Sequence, residues 1–170
     1  LAKYVKEYKK ASILTPIFVV LEVVMEVIIP LLMAKIIDVG IQNGDVKYIL
    51  EIGGLLIVSA ILSLTFGMLS GRFAAKASAG YAKNLRKEMF HKVQDYSFEN
   101  IDKFSTSSLV TRMTTDVTNV QMAFQMIIRI LVRGPIMMIF ALLMVISISA
   151  KLSLVFFVAI PVLGFILFYI

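Results

Sequence analysis

The chain has 170 residues, 59% of them hydrophobic, and a net charge of +6. Soluble domains are roughly 45–50% apolar, and the excess here sits in blocks too long for the core of a small soluble domain. The absence of cysteine excludes disulfides and thiolate metal sites, and the single His91 cannot make a metal cluster by itself.

The opening "LAKYVKEYKK" mixes Leu1, Tyr4, Val5 and Tyr8 with four lysines. This predicts an interfacial amphipathic helix over residues 1–11, with aromatics and lysines at headgroup level; a frayed polar tail is the alternative. Ile13 to Ile37 is apolar apart from Glu22, Glu26 and Lys35. A bilayer core of ~30 Å needs about 20 helical residues, so a first span is predicted over 13–39. Its apolar region exceeds the ~7–15 residues of a signal peptide, and it reads as an uncleaved span. Pro16 suits a first turn, whereas Pro30 is interior and is expected to kink the helix. Gly40 is a candidate C-cap. In "QNGD", Asn43-Gly44 can supply positive φ and Asp45 an N-cap.

Ile52 to Ser70 carries no charge, and past Gly71 no helix breaker occurs until about Ser97, only a lone Gly80. Tyr81, Leu85, Met89, Val93 and Tyr96 recur at steps of four and three, one apolar stripe on a charged helix. Leu109, Met113, Val117, Val120 and Phe124 form a second such stripe. The two stripes can pack together or onto other long helices. Helix two is therefore predicted over 45–96 and helix three over 107–148, roughly 75 and 60 Å long. Each overshoots the bilayer. Leu152 to Ile170 is again uncharged and reads as the start of a fourth span, 152–170, so the chain is expected to be a fragment of something longer.

The basic residues set the orientation. They crowd before the first span and between Arg72 and Arg133, while the other connections hold only Lys35, Lys47 and Lys151. The positive-inside rule puts the N-terminus and the 71–129 region in the cytosol. Distributed this way, the positive charge speaks for a membrane partner and not for nucleic acid.

At the tip of the projecting hairpin lies "SFENIDKF". Phe98, Ile101 and Phe104 fall at i, i+3 and i+6, one apolar face on a short helix. Such a segment suits a groove in a cytosolic partner, or its rings pack the hairpin's own tip. No G-x-x-x-x-G-K-[ST], G-x-S-x-G or H-E-x-x-H motif occurs, and no catalytic residue is assigned. Within the first span, Glu22 and Glu26 share one helix face. Ionisable groups in spans usually face a bundle interior or a water-filled cavity. They read either as a polar patch in a substrate cavity or proton relay, or as structural hydrogen-bond partners. Arg129 and Arg133, also four apart, either line the inner mouth of such a cavity or snorkel to lipid phosphates.

These residues resemble the transmembrane domain of exporter-type (type I) ABC transporters. That family carries a Phe, then Thr-Gly-Glu-Leu, Ser-Arg and Asp-Val. Here "FSTSSLVTRMTTDV" has Phe104, Thr106, Leu109, Arg112, Asp116 and Val117 in register. "PLLMAKIIDVGIQNGD" is similar to the end of the family's first span and external loop, with Pro30, Asp38, Gly40, Gly44 and Asp45 in place. "LRKEMFHKVQDYSFENIDKF" resembles its second helix running into the first coupling helix. The likeness covers essentially the whole chain. Ser107-Ser108 departs from the usual Gly-Glu, a variant that looks like bacterial multidrug exporters, which often work as heterodimers.

The resemblance implies an all-α membrane fold with six spans per subunit, dimerised to twelve, cut short here in the fourth span. It implies an N-terminal elbow helix at 1–11 and a coupling helix at 98–104. Phe98, Glu99, Asn100, Ile101, Asp102, Lys103 and Phe104 would then touch a nucleotide-binding domain, either beyond Ile170 or on a partner subunit. ATP and Mg would bind in that domain, not in this chain. The implied partners are the lipid bilayer, a second transmembrane subunit and a small amphipathic substrate, with no nucleic acid. The implied location is the bacterial inner (plasma) membrane, with the N-terminus cytosolic. Two other readings stand beside the ATP-driven exporter: a proton-coupled transporter using Glu22 and Glu26, and a membrane scaffold recruiting a cytosolic protein.

Overall fold

The computed structural model describes residues 2–95, 106–148, 159, 161–166 and 169. Every element among them is helical. A short 3₁₀-type segment, Ala2–Tyr8, leads into α1 (Lys9–Lys35), which ends in a π-helical turn, Ile36–Ile41. The chain turns over residues 42–45 into α2 (Val46–Gln94), 49 residues long. A third run comprises α3 (Thr106–Thr111), a second π-helical turn (Arg112–Asp116) and α4 (Val117–Ile148).

Tyr4–Ile41, Val46–Gln94 and Ser107–Ile148 are long and apolar enough to cross a membrane. At 49 and 42 residues, the second and third far exceed the roughly 20 needed. Three such helices agree with the all-α membrane fold expected from the sequence, and α2 ends at Gln94. The predicted coupling helix, 98–104, lies outside the described residues. So does most of the predicted fourth span, of which residues 161–166 are helical.

The chain divides into two compact units. The first comprises Leu1–Leu21 and Leu64–Arg133. Its centre is built on a stripe of small residues along α2: Ser70, Ala74, Ser78 and Ala82 recur every four residues and are wholly buried, as is Ala77. Small side chains on one helix face let neighbouring backbones approach closely, the usual way membrane helices gain packing energy. Against α2, Phe18 of α1 stacks with Phe73 at 5.5 Å and Phe66 at 6.2 Å. From α4, Phe124 stacks on the buried ring of Tyr81 at 4.7 Å. Buried hydroxyls are satisfied locally: Thr15 donates to the Ala11 carbonyl and Ser70 to that of Gly67.

The N-terminal stretch does not form one continuous helix over 1–11. It breaks at Lys6, whose φ is 35°. A non-glycine residue there costs of order 1–3 kcal/mol and persists only where its surroundings fix it. The contacts are with α2. Tyr4 sits edge-on to Tyr81, Asn84 Nδ2 donates to the Tyr4 carbonyl at 2.9 Å, and Lys6 Nζ bonds Glu88 at 2.7 Å. Gly80 completes the seat, because a methyl there would run into the Tyr8 ring.

The second unit comprises Glu22–Ser63 and Gly134–Ile170. Val23 and Leu32 are buried, while Leu50, Leu55, Ile57 and Ile61 of α2 and Ile139 and Leu143 of α4 are exposed. Lipid tails are as apolar as these side chains, so their exposure costs nothing in a bilayer. The turn after α1 follows the sequence in two respects. Gly44 has φ 67°, and Asp45 Oδ1 accepts from the Tyr48 amide at 3.0 Å, an N-cap on α2. Gly40, however, is not the cap. The helix continues to Gln42, and Gly40 lies inside the π-helical turn. A Cβ on Gly40 would fall 2.6 Å from Ile49 Cγ1. The missing side chain therefore admits α2, not a helix end.

Candidate functional site

The sequence puts its functional weight on two sets of residues. The first, Phe98 to Phe104, lies outside the described residues. The second is Glu22, Glu26, Arg129 and Arg133. Glu22 is buried and Glu26 half-buried on α1 in the second unit. Each has an electrostatic or hydrogen-bonding partner. Arg129 and Arg133 belong to the first unit and line one cavity of ≈ 580 Å³ with Met122, Gln125, Met126 and Ile130. Their spacing explains this: positions 122, 125/126, 129/130 and 133 fall on one face of α4. The Arg129 guanidinium also approaches α2, where a Cβ on Gly71 would lie 3.7 Å from Nη1. Gln125 meets α2 as well, since the Ser78 hydroxyl lies 3.2 Å from Gln125 Oε1 and 3.1 Å from the Ala75 carbonyl. The face thus presents two fixed positive charges beside methionines, which adapt readily to irregular apolar shapes.

The two apolar stripes meet. Leu85 and Met89 of α2 share a cleft with Arg112, Asp116, Val117 and Val120 of the third run. Val117 is 2% exposed and forms the centre of its stripe. A second set of contacts was not anticipated from the sequence. Arg86 Nε donates to the Met113 carbonyl at 3.3 Å, and Arg86 Nη2 donates to Thr118 Oγ1 at 3.2 Å. Met113 lies inside the second π-helical turn and Thr118 just beyond it. Thr111, Thr114 and Thr118 donate to the carbonyls of Ser107, Val110 and Thr114, four residues back in each case. Hydroxyls that bond carbonyls one turn back loosen regular α-helix. The sequence carries no distinct signal of this turn, since steps of four like Leu109, Met113 and Val117 also occur on one buried face of the unbroken α2.

On the N-terminal side, the bond to Glu88, together with that carboxylate's charge, raises the Lys6 ammonium above its usual pKa of 10.5. Both side chains are nearly half exposed, 45% and 43%, so the pair is a solvated one.

Long apolar helices with paired polar continuations define an all-α membrane protein. Comparison with known proteins gives the family. Residues 12–170 match the ABC transporter transmembrane region, and the chain belongs to that family. It is 34% identical over 160 residues to an uncharacterized ABC transporter ATP-binding protein, YfiB, of Bacillus subtilis (strain 168), covering 94% of this chain and 28% of that protein. It is 27% identical over 167 residues to an ATP-dependent lipid A-core flippase of Pseudoalteromonas translucida (strain TAC 125), covering 96% of this chain and 28% of the flippase. A putative export ATP-binding/permease protein, RC1073, of Rickettsia conorii (strain ATCC VR-613 / Malish 7) is 23% identical over 167 residues, covering 96% and 28%. The chain thus spans little more than a quarter of the length of these relatives.

Proposed function

We propose that the chain is part of the transmembrane domain of an ATP-driven exporter, in which α2 and the third helical run carry movement between a nucleotide-binding domain and the membrane spans. The observation that carries this reading is the pairing of their polar continuations through Tyr81–Phe124 and the Arg86 hydrogen bonds. Two long helices tied together in this way can move as one body toward residues 98–104. In this reading Phe98, Ile101 and Phe104 dock into the nucleotide-binding domain, where ATP and Mg bind. The polar continuations lie in the cytosol, the spans sit in the plasma membrane, and a second transmembrane subunit completes the pathway. Relatives named as ATP-binding, export and flippase proteins support this reading.

The substrate in this reading is an amphipathic compound or lipid. The cavity along α4 supports it by setting Arg129 and Arg133 beside Met122, Met126 and Ile130, and a relative is named as a lipid A-core flippase.

The test is Phe98→Ala with Phe104→Ala in the complete transporter, reconstituted in vesicles with ethidium and a fluorescent-tailed phospholipid as transport probes. ATP hydrolysis is expected to persist while ATP-dependent probe movement is lost. Coupled transport at the native rate in the double variant would overturn the coupling role. Probe movement driven by a pH gradient, and indifferent to ATP and vanadate, would instead favour a proton-coupled mechanism through Glu22 and Glu26.

A further inference from the structure

We infer that Arg86 is a positioning residue for coupling: it holds the π-helical turn at Arg112–Asp116, and the turn sets the direction in which the coupling end of the third helical run faces. This rests on the exporter reading above and deepens it.

The argument begins with the backbone. A π-helical turn closes i→i+5 hydrogen bonds instead of i→i+4, so it takes up one residue more than the α-helix it interrupts. Where the two patterns join, a carbonyl is left without its usual partner, and such a group needs one from elsewhere. Here the Met113 carbonyl receives Arg86 Nε, from 27 residues away. The second arm of the same guanidinium reaches Thr118 Oγ1, and that hydroxyl donates to the Thr114 carbonyl at 2.8 Å. One planar, always-charged fork therefore grips the turn from inside and from just past its end. A lysine carries one compact donor head and cannot span both acceptors in a fixed geometry.

The consequence is directional. At 3.6 residues per turn, each residue rotates a helix by about 100° and advances it by about 1.5 Å. If the turn relaxed to regular α-helix, Ser107–Thr111 would rotate by about that angle relative to Val117 and everything after it. Leu109 would leave the face it shares with Met113 and Val117. Held by Arg86, the turn keeps Leu109 half-buried and Val117 buried on one side. The threonine hydroxyls lower the cost of the irregular turn, but they do not select it, because they bond equally well within a bent α-helix. The contact from α2 makes the selection.

The experiment uses the complete transporter in lipid nanodiscs. Any cysteines elsewhere in it are replaced; this chain contributes none. Spin labels at Lys83→Cys and Val110→Cys read the distance from α2 to the segment before the turn. Labels at Lys83→Cys and Ala123→Cys read the distance from α2 to the segment after it. Arg86→Ala is expected to shift the first distance by roughly 5–8 Å, from the rotation above, and to leave the second unchanged. A bimane at Asn43→Cys reports the response of the far side of the membrane to ATP and vanadate. That response is expected to fall about fivefold in Arg86→Ala while ATP hydrolysis continues. Arg86→Lys should be intermediate in both readouts. Arg86→Ala combined with deletion of Thr115 should restore both, because removing the extra residue makes the run α-helical with its two ends in register.

An unchanged Lys83–Val110 distance in Arg86→Ala overturns the proposal. So do equal shifts of both label pairs, which mark general loosening, and a shifted first distance with a native bimane response. Failure of the Thr115 deletion to rescue overturns the register argument. A native protein whose bimane ignores ATP and vanadate overturns the exporter reading and the coupling half of this proposal together, and the two distances still decide whether Arg86 holds the turn.

Discussion

The two π-helical turns, Ile36–Ile41 and Arg112–Asp116, share one backbone irregularity and are held in opposite ways. The first is closed by its own neighbourhood. The Asn43 amide donates to the Val39 carbonyl at 3.2 Å and the Asp45 amide to the Gly40 carbonyl at 3.0 Å. Asp45 then caps α2, and Gly40 gives Ile49 room. Its partners all lie within about a dozen residues. The second turn has threonine bonds of its own and adds contacts from Arg86, on another helix. A locally closed turn is a fixed corner. A turn closed by a distant side chain can be released, because moving one helix past another breaks the contact. The first sits at a reversal of the chain, where rigidity serves; the second lies on the proposed path of coupling.

The largest effect that would break this comparison comes from filling the space at Gly40. In Gly40→Val the new side chain meets Ile49, and overpacking of this kind costs typically 1–3 kcal/mol. The expected result is a clearly lower apparent melting temperature in detergent, relieved in part by Ile49→Ala. A Gly40→Val variant as stable as the native protein would show that the corner is loose. Thr115→Ala in the second turn is the contrasting change. The Thr115 side chain is exposed, and surface substitutions of this sort usually stay within about 0.5 kcal/mol.

A smaller effect sharpens the first half of the comparison. Asp45→Ala removes the acceptor for the Tyr48 amide and is expected to cost about 1 kcal/mol. Asp45→Asn keeps the side-chain oxygen and should lose much less. The pair is read by thermal melts together with hydrogen exchange at the Tyr48 amide, which should quicken only in Asp45→Ala. Equal loss in both variants would mean that charge, not the cap, matters at this position.

The same contrast explains what could be read from the sequence. Asp45 and Gly44 act through neighbours in the chain, and turn chemistry identified both. The long apolar helices follow from hydropathy and the two apolar stripes from periodicity, and of the stripes Leu85 and Met89 share a cleft with Val117 and Val120. Gly40 was legible as a special position but not in its reason, because a C-cap and a close approach call for the same residue type. The small-residue stripe at Ser70, Ala74, Ser78 and Ala82 carries a step of four that is legible in the sequence, but small residues add nothing to an apolar stripe read from bulky side chains. Arg86 could not be distinguished from its charged neighbours. Its partners are a backbone carbonyl and a threonine on a helix whose register the sequence does not specify. Of the predicted cavity residues, Arg129 and Arg133 share a cavity because four-residue spacing on a helix guarantees a common face.

Arg86 is not alone on this part of α2. Asn84 and Glu88, four apart, hold the N-terminal segment at Tyr4 and Lys6, while Arg86, two residues from each, points to the other side and holds the π-helical turn. Positions two apart on an α-helix are about 200° apart, so one turn of α2 serves both irregular segments from opposite faces. The Lys6–Glu88 bond joins two side chains that are each nearly half exposed and gives the smallest effect. Glu88 raises the Lys6 pKa above 10.5. The bond's contribution is therefore fully present below about pH 10.5 and is lost as the pH rises through the higher folded value. A spin label at Glu7→Cys should become more mobile over that alkaline range in the native protein. In Glu88→Gln it should already be more mobile at pH 8, with no such alkaline transition. Raising the salt concentration should move the native signal at pH 8 toward that of Glu88→Gln, since exposed pairs are screened. Identical titrations in the two proteins would mean that Asn84 and the tyrosine contacts hold the strained Lys6 backbone without help from the ion pair.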